Sequence, residues 1–253
     1  MKNKIPSPFF SIEHYALKVR DDTIRDFDNR NKAKLETTLE RMRMLLVIKL
    51  LALAENGINT QARFQAYSIN KQVLDILVSA LQMARQRGAL EVFTLLRVAL
   101  EASCSVLQIS RDEDAYHQYM LGRYKSTNAI TFAKEFVPVV GEVYGALSKA
   151  AIHINRVAYG PRQEQDKSDD ISETISFDFE IRERRPIQDG LLLSFISLVS
   201  LIALKIYEVA LFEKDDSLEG WLKLSGTRIK YISRSDAMIS EHLEEIKGAP
   251  WRA

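Results

Sequence analysis

Arg97 and Glu101 stand one helical turn apart in a stretch, about Ala89 to Ser110, that is otherwise nearly all apolar. Its polar residues include Glu91, Thr94, Arg97, Glu101, Ser105 and Gln108, with Ser103 off their line. They recur at steps of three and four, so a helix gathers them onto one narrow stripe. The spacing allows an Arg97–Glu101 ion pair, although arginine-first is the weaker order. If the stripe is buried, both charges must be paired and hydrogen-bonded. If it faces solvent, they form a surface salt bridge. The alternative is chemical: a polar pocket between helices.

A second group could complete that pocket. In Tyr144-Gly-Ala-Leu-Ser148-Lys-Ala-Ala-Ile-His153, a phenol, a hydroxyl and an imidazole follow one another on an apolar helix, about 139–154. His153 could partner Arg97 and Glu101 through either ring nitrogen; its plainer role is that of a core histidine. Taken together, the Arg-x-x-x-Glu pair on a central apolar helix, the Tyr-x-x-Leu-Ser segment and the histidine resemble uncharacterised bacterial helical proteins grouped with HEPN-like domains. The resemblance covers residues 89–155. In that pattern the histidine follows the serine by four residues; here it follows by five. The resemblance implies an all-helical bundle, a prokaryotic cytoplasmic setting, and a role in phage defence or toxin–antitoxin pairs, without a defined reaction.

The same family includes metal-independent ribonucleases with an Arg-x(4–6)-His motif, in which the two side chains handle the 2′-hydroxyl and the phosphate. Arg111-Asp-Glu-Asp-Ala-Tyr-His117 fits that motif. Under this reading Arg111 and His117 are the catalytic pair and RNA is the partner. The competing reading is a helix start, with Asp112 or Asp114 at the cap and His117 exposed.

Other chemistry is absent from the sequence. There is no phosphate-binding Gly-rich loop, no H-E-x-x-H and no G-x-S-x-G. The four histidines include no i,i+4 pair, and the single cysteine, Cys104, excludes a Cys-rich zinc site and an internal disulfide. No metal and no cofactor is expected. Cys104 lies in an apolar run and reads as a small buried hydrophobe. The cluster Arg182-Glu-Arg184-Arg185, beside Phe177 and Phe179, could meet phosphates. Acidic residues from Glu164 to Glu180 crowd the same region, which favours a solvated mixed-charge face.

The elements that must position these residues are helices. Glycine (10) and proline (6) are scarce in 253 residues, and that argues against a turn-rich β sandwich. Apolar spacing predicts helices over about 31–55, 60–86, 89–110, 113–134, 139–154, 188–213, 217–224 and 227–247, with a short one near residues 12–19. The run Gly190–Leu204 carries no charge but falls short of the roughly 20 residues a membrane span needs. Lys205 and Glu208 follow within the same helix, so it is expected to be the buried centre of a bundle, not a membrane segment. Residues 155–189 form a polar insert. Within it Ile175, Phe177, Phe179 and Ile181 alternate with polar residues, the period of a half-buried strand.

The sequence therefore predicts an all-α, single-domain helical bundle over 1–253, with a small β element near 171–182. With 35 basic and 34 acidic side chains, no global field draws the chain to nucleic acid or to a membrane. No secretory signal is legible, and a cytoplasmic location is expected. The expected function is an interaction or regulatory module of a bacterial defence or toxin–antitoxin-type system, a homodimer acting by protein association. The alternatives are the ribonuclease built on Arg111 and His117, and a small-ligand sensor with a pocket at Arg97, Glu101, Tyr144, Ser148 and His153.

Overall fold

A computed structural model describes residues 20–54, 61–86, 88–152, 186–211 and 235–247. Among them every regular element is a helix, and the protein is all-α. The helices are α1 (Arg20–Arg30), α2 (Lys32–Ala54), α3 (Gln61–Arg85), α4 (Ala89–Arg111), α5 (Glu113–Met120), α6 (Ser126–Lys134), α7 (Val139–Ile152), α8 (Pro186–Leu211) and α9 (Ser235–Lys247).

Two helices organise the rest. α8 opens on Pro186, where a missing N–H costs nothing and φ is already helical. Every side chain from Leu192 to Leu204 is buried. A helix with no polar face can exist in water only if neighbours surround it. α4, α2, α9 and α3 do so. α4 is the second centre: it packs against α3 and α8, and carries α6 and α7 on a further side. Phe93 of α4 meets Phe195 of α8 edge to face, with ring centroids 5.1 Å apart. Such a contact adds about 1 kcal/mol to the area buried. Tyr207 of α8 is fully buried, and burial drives its hydroxyl pKa upward, with the nearby Ser103 of α4 opposing the shift.

Both α4 and α8 are long and apolar enough to cross a membrane. Inside this bundle, 83% of the apolar window of α8 is buried by neighbouring protein, against 56% for α4. The expectation that Gly190–Leu204 is a bundle centre therefore holds, and α4 is the apolar helix that keeps an open side.

The structure departs from the sequence reading in three places. The helix expected over 113–134 is two helices, α5 and α6. Gly122 breaks it with φ 68°, a conformation that costs glycine little. The Arg123 N–H donates to the Gln118 carbonyl at 2.9 Å, and the Gly122 N–H to Tyr119 at 3.0 Å. This is the Schellman arrangement that satisfies the last carbonyls of a helix. Second, α1 was not expected. It is almost wholly polar, but Phe27 is fully buried, and Arg85 Nε donates to Asp28 Oδ1 at 2.8 Å to tie α1 to α3. That hydrogen bond holds the Arg85 guanidinium above its usual pKa, against the opposing effect of burial. Third, residues 186–189 of the polar insert form the first turn of α8. The strand near 171–182, His153, and the helices expected near 12–19 and 217–224 lie outside the described residues.

Candidate functional site

The polar stripe of α4 begins in solvent and ends under cover. Glu91 and Thr94 are exposed; Arg97, Glu101 and Gln108 are half-buried, and Ser105 is buried. The cover comes from the chain between α5 and α7. Each polar side chain on the covered part has a hydrogen-bond partner, as burial requires.

Arg97 and Glu101 form the centre. Arg97 Nε donates to Glu101 Oε1 at 3.1 Å, and Arg97 Nη2 donates to the Tyr144 hydroxyl oxygen at 2.9 Å. That hydroxyl in turn donates to Glu101 Oε1 at 2.9 Å. The other carboxylate oxygen, Oε2, accepts from Ser126 Oγ at 3.2 Å. The guanidinium carbon lies 5.2 Å from the centroid of the Tyr144 ring, within cation–π range. Burial pulls the Arg97 pKa down, but the hydrogen bonds to Glu101 and Tyr144 outweigh it and raise it. The side chains of Arg97 and Glu101 are 31% and 20% exposed, so the pair sits at a boundary rather than in the core.

The stripe continues one and two turns further. Ser105 Oγ donates to the Glu101 carbonyl at 2.9 Å, and Gln108 Oε1 accepts from the Tyr124 hydroxyl at 3.0 Å. Burial, with Cys104 and Asp112 adding to it and Ser105 opposing, pushes the Tyr124 pKa up to about 12. Cys104 lies three residues after Glu101 on the same helix, fully buried. Desolvation first, and then Glu101, drive its thiol pKa well above the usual value. A thiol held neutral in this way is a poor nucleophile.

The structure thus brings together Arg97, Glu101 and Tyr144 from the predicted site and adds Ser126 and Tyr124. Ser148 stands one turn after Tyr144 on α7, and its buried Oγ has no hydrogen-bond partner among the described residues. His153 lies outside those residues. The network is a closed exchange of donors and acceptors that staples α4 to α6 and α7.

Arg111 and His117 have different neighbours. Arg111 ends α4 and donates through Nε to the Val209 carbonyl at 3.0 Å, in the last turn of α8. Its guanidinium carbon lies 5.7 Å from the Phe136 ring centroid. A cation at this position complements the open carbonyls of a helix end. His117 is 62% exposed at its side chain and stands 3.8 Å from Glu113. Between them Asp112 caps α5, accepting the Ala115 N–H at 3.1 Å, as the Arg111-Asp-Glu-Asp turn predicts.

Sequence reasoning passed over a further polar cluster, where Arg41 of α2 meets Ser197 of α8 and His242 of α9. One signal was present: Ser194, Ser197 and Ser200 recur at a step of three through the most apolar helix. Among the described residues, no group of His, Cys, Asp and Glu could hold a metal ion. No protein-family model matches the chain, and no curated protein or solved structure matches it.

Proposed function

We propose that the chain is a helical interaction or regulatory module that works as a cytoplasmic homodimer, by protein association, in a bacterial phage-defence or toxin–antitoxin-type system. The setting comes from the HEPN-like resemblance of residues 89–155. The mode of action is supported by one observation: the apolar helix α4 is left open on one side, with Val98 45% exposed. Val78 of α3 is 40% exposed and stands ten residues before Gly88, as Val98 stands ten residues after it. The packed pair α3–α4 therefore carries one exposed valine on each helix. The Arg97–Glu101–Tyr144–Ser126 network fixes the helix from which Val98 projects, which keeps such a face pre-organised for a partner. The ribonuclease alternative has less support within one chain, since Arg111 donates to the Val209 carbonyl while His117 stands exposed near Glu113.

Phage challenge of a bacterial host expressing the full chain tests the role. Fewer plaques with the wild type, restored by Val98→Glu at equal expression, is the expected result. Equal plaque counts, together with unaltered host growth, would overturn it.

A further inference from the structure

α9 has 13 residues, a length at which a helix is marginal in water by itself. Its order therefore depends on what it packs against. Ile239 and Ile246 are buried, Leu243 is packed against the core, and α8 is the helix that α9 meets. His242 stands three residues after Ile239 and four before Ile246, so it shares their face. The sequence thus places an imidazole on the docking face of α9, among its apolar contacts.

That imidazole meets a cation. Arg41 of α2 is 5% exposed, and its Nη1 contacts both Ser197 Oγ of α8 and His242 Nε2. A guanidinium only donates, and it keeps its charge at every pH a protein survives. Nε2 must therefore be the acceptor, and the ring is neutral with its proton on Nδ1. A proton added at Nε2 removes the acceptor, whatever else the guanidinium touches. It also sets a second positive charge against Arg41 where little water reaches, and a like charge disfavours the protonated form. Around the same cleft α2 adds Lys34, a further cation, and α8 adds Leu193, Ser194 and Ser197, none of which titrates. The carboxylate on the lining is Glu241 of α9; it is exposed, as are Glu40 of α2 and Glu244 of α9, so water weakens what they offer the ring.

We propose that His242 is an acid-sensitive latch: neutral, it accepts from Arg41 and holds α9 to α2 and α8; protonated, it releases α9. Arg41 serves as the fixed half of the latch, because its charge does not change and Ser197 orients it. The released helix is too short to persist alone, so release and local melting of α9 go together. The apolar contacts of Ile239, Leu243 and Ile246 keep α9 docked while the ring is neutral.

Hydrogen–deuterium exchange of the full-length chain tests this, read by mass spectrometry over residues 235–247 and corrected for the intrinsic pH dependence of amide exchange. Protection of α9 in the wild type should fall about tenfold from about pH 7.5 to about pH 5.5, because a released histidine takes up its proton near pH 6.5. His242→Gln keeps an acceptor in its amide oxygen and has no proton to gain in this range. Its α9 protection should hold level between the same two pH values. The proposal is overturned if wild-type protection of α9 holds level, whatever the variant does, or if the fall persists undiminished in His242→Gln.

Discussion

Tyr144 donates its hydroxyl proton to Glu101 at 2.9 Å across the contact between α7 and α4, and accepts from Arg97 at the same distance. One phenol therefore bridges both members of an ion pair that lies on another helix. Removing it should reveal how much of the pair's geometry depends on the bridge. Tyr144→Phe keeps the ring under the guanidinium and deletes both hydrogen bonds; it is expected to cost about 1–3 kcal/mol by thermal or urea unfolding.

Glu101→Ala should cost about 1–3 kcal/mol. That lies below the 3–5 kcal/mol of a fully buried pair, because Arg97 keeps access to water, and above the roughly 1 kcal/mol ceiling of a surface pair. With Tyr144→Phe the two effects should fall short of additivity by at least about 0.5 kcal/mol, as expected for residues in one network. Strict additivity in a double-mutant cycle would show that the contacts act separately.

Much of this network was legible beforehand, for a physical reason. Arg97 and Glu101 lie on a helix so apolar that steps of three and four between polar residues are visible without any partner. The buried α8 was legible from its uncharged run. Ser126 and Tyr124 were not, because a hydroxyl arriving from a turn has no periodicity and its partner lies 16–25 residues away. The break at Gly122 was hidden because Tyr116, Tyr119, Met120 and Tyr124 keep helical steps across it. Arg41 and His242 are separated by 201 residues, and nothing local to either reports the other. α1 was missed because its one buried anchor, Phe27, stands among charged residues that carry no apolar stripe.

Tyr124 should make stability fall at alkaline pH. Its hydroxyl ionises near 10 in the unfolded chain and at about 12 in the folded one. Below pH 10 both states keep the proton and the stabilisation is complete. From pH 10 to 12 the unfolded chain releases its proton first, so stability declines as pH rises. Tyr124→Phe should lose the hydrogen bond to Gln108, about 1 kcal/mol at neutral pH. It should also flatten the decline between pH 10 and 12 relative to the wild type, measured by urea unfolding across that range.

Ser148→Ala should be neutral or slightly stabilising, by up to about 1 kcal/mol. Its buried hydroxyl has lost water without gaining a partner among the described residues, and removing such a group relieves a desolvation cost. Destabilisation beyond about 1 kcal/mol would show that the hydroxyl serves a contact.

Gly122→Ala should cost about 1 kcal/mol, because φ is 68° while no atom lies within 4 Å of the added carbon. The strain is confined to the backbone, so Gly122→Asn should recover part of it. Thermal unfolding of the two variants measures the difference.

Association through the open side of α3 and α4 is tested most directly by multi-angle light scattering of the full chain at micromolar concentration. The wild type should have twice the 28.9 kDa mass of one chain, and Val98→Glu should have the mass of a single chain with unchanged helical circular dichroism. A wild-type monomer, or a dimer that Val98→Glu leaves intact, would contradict the account.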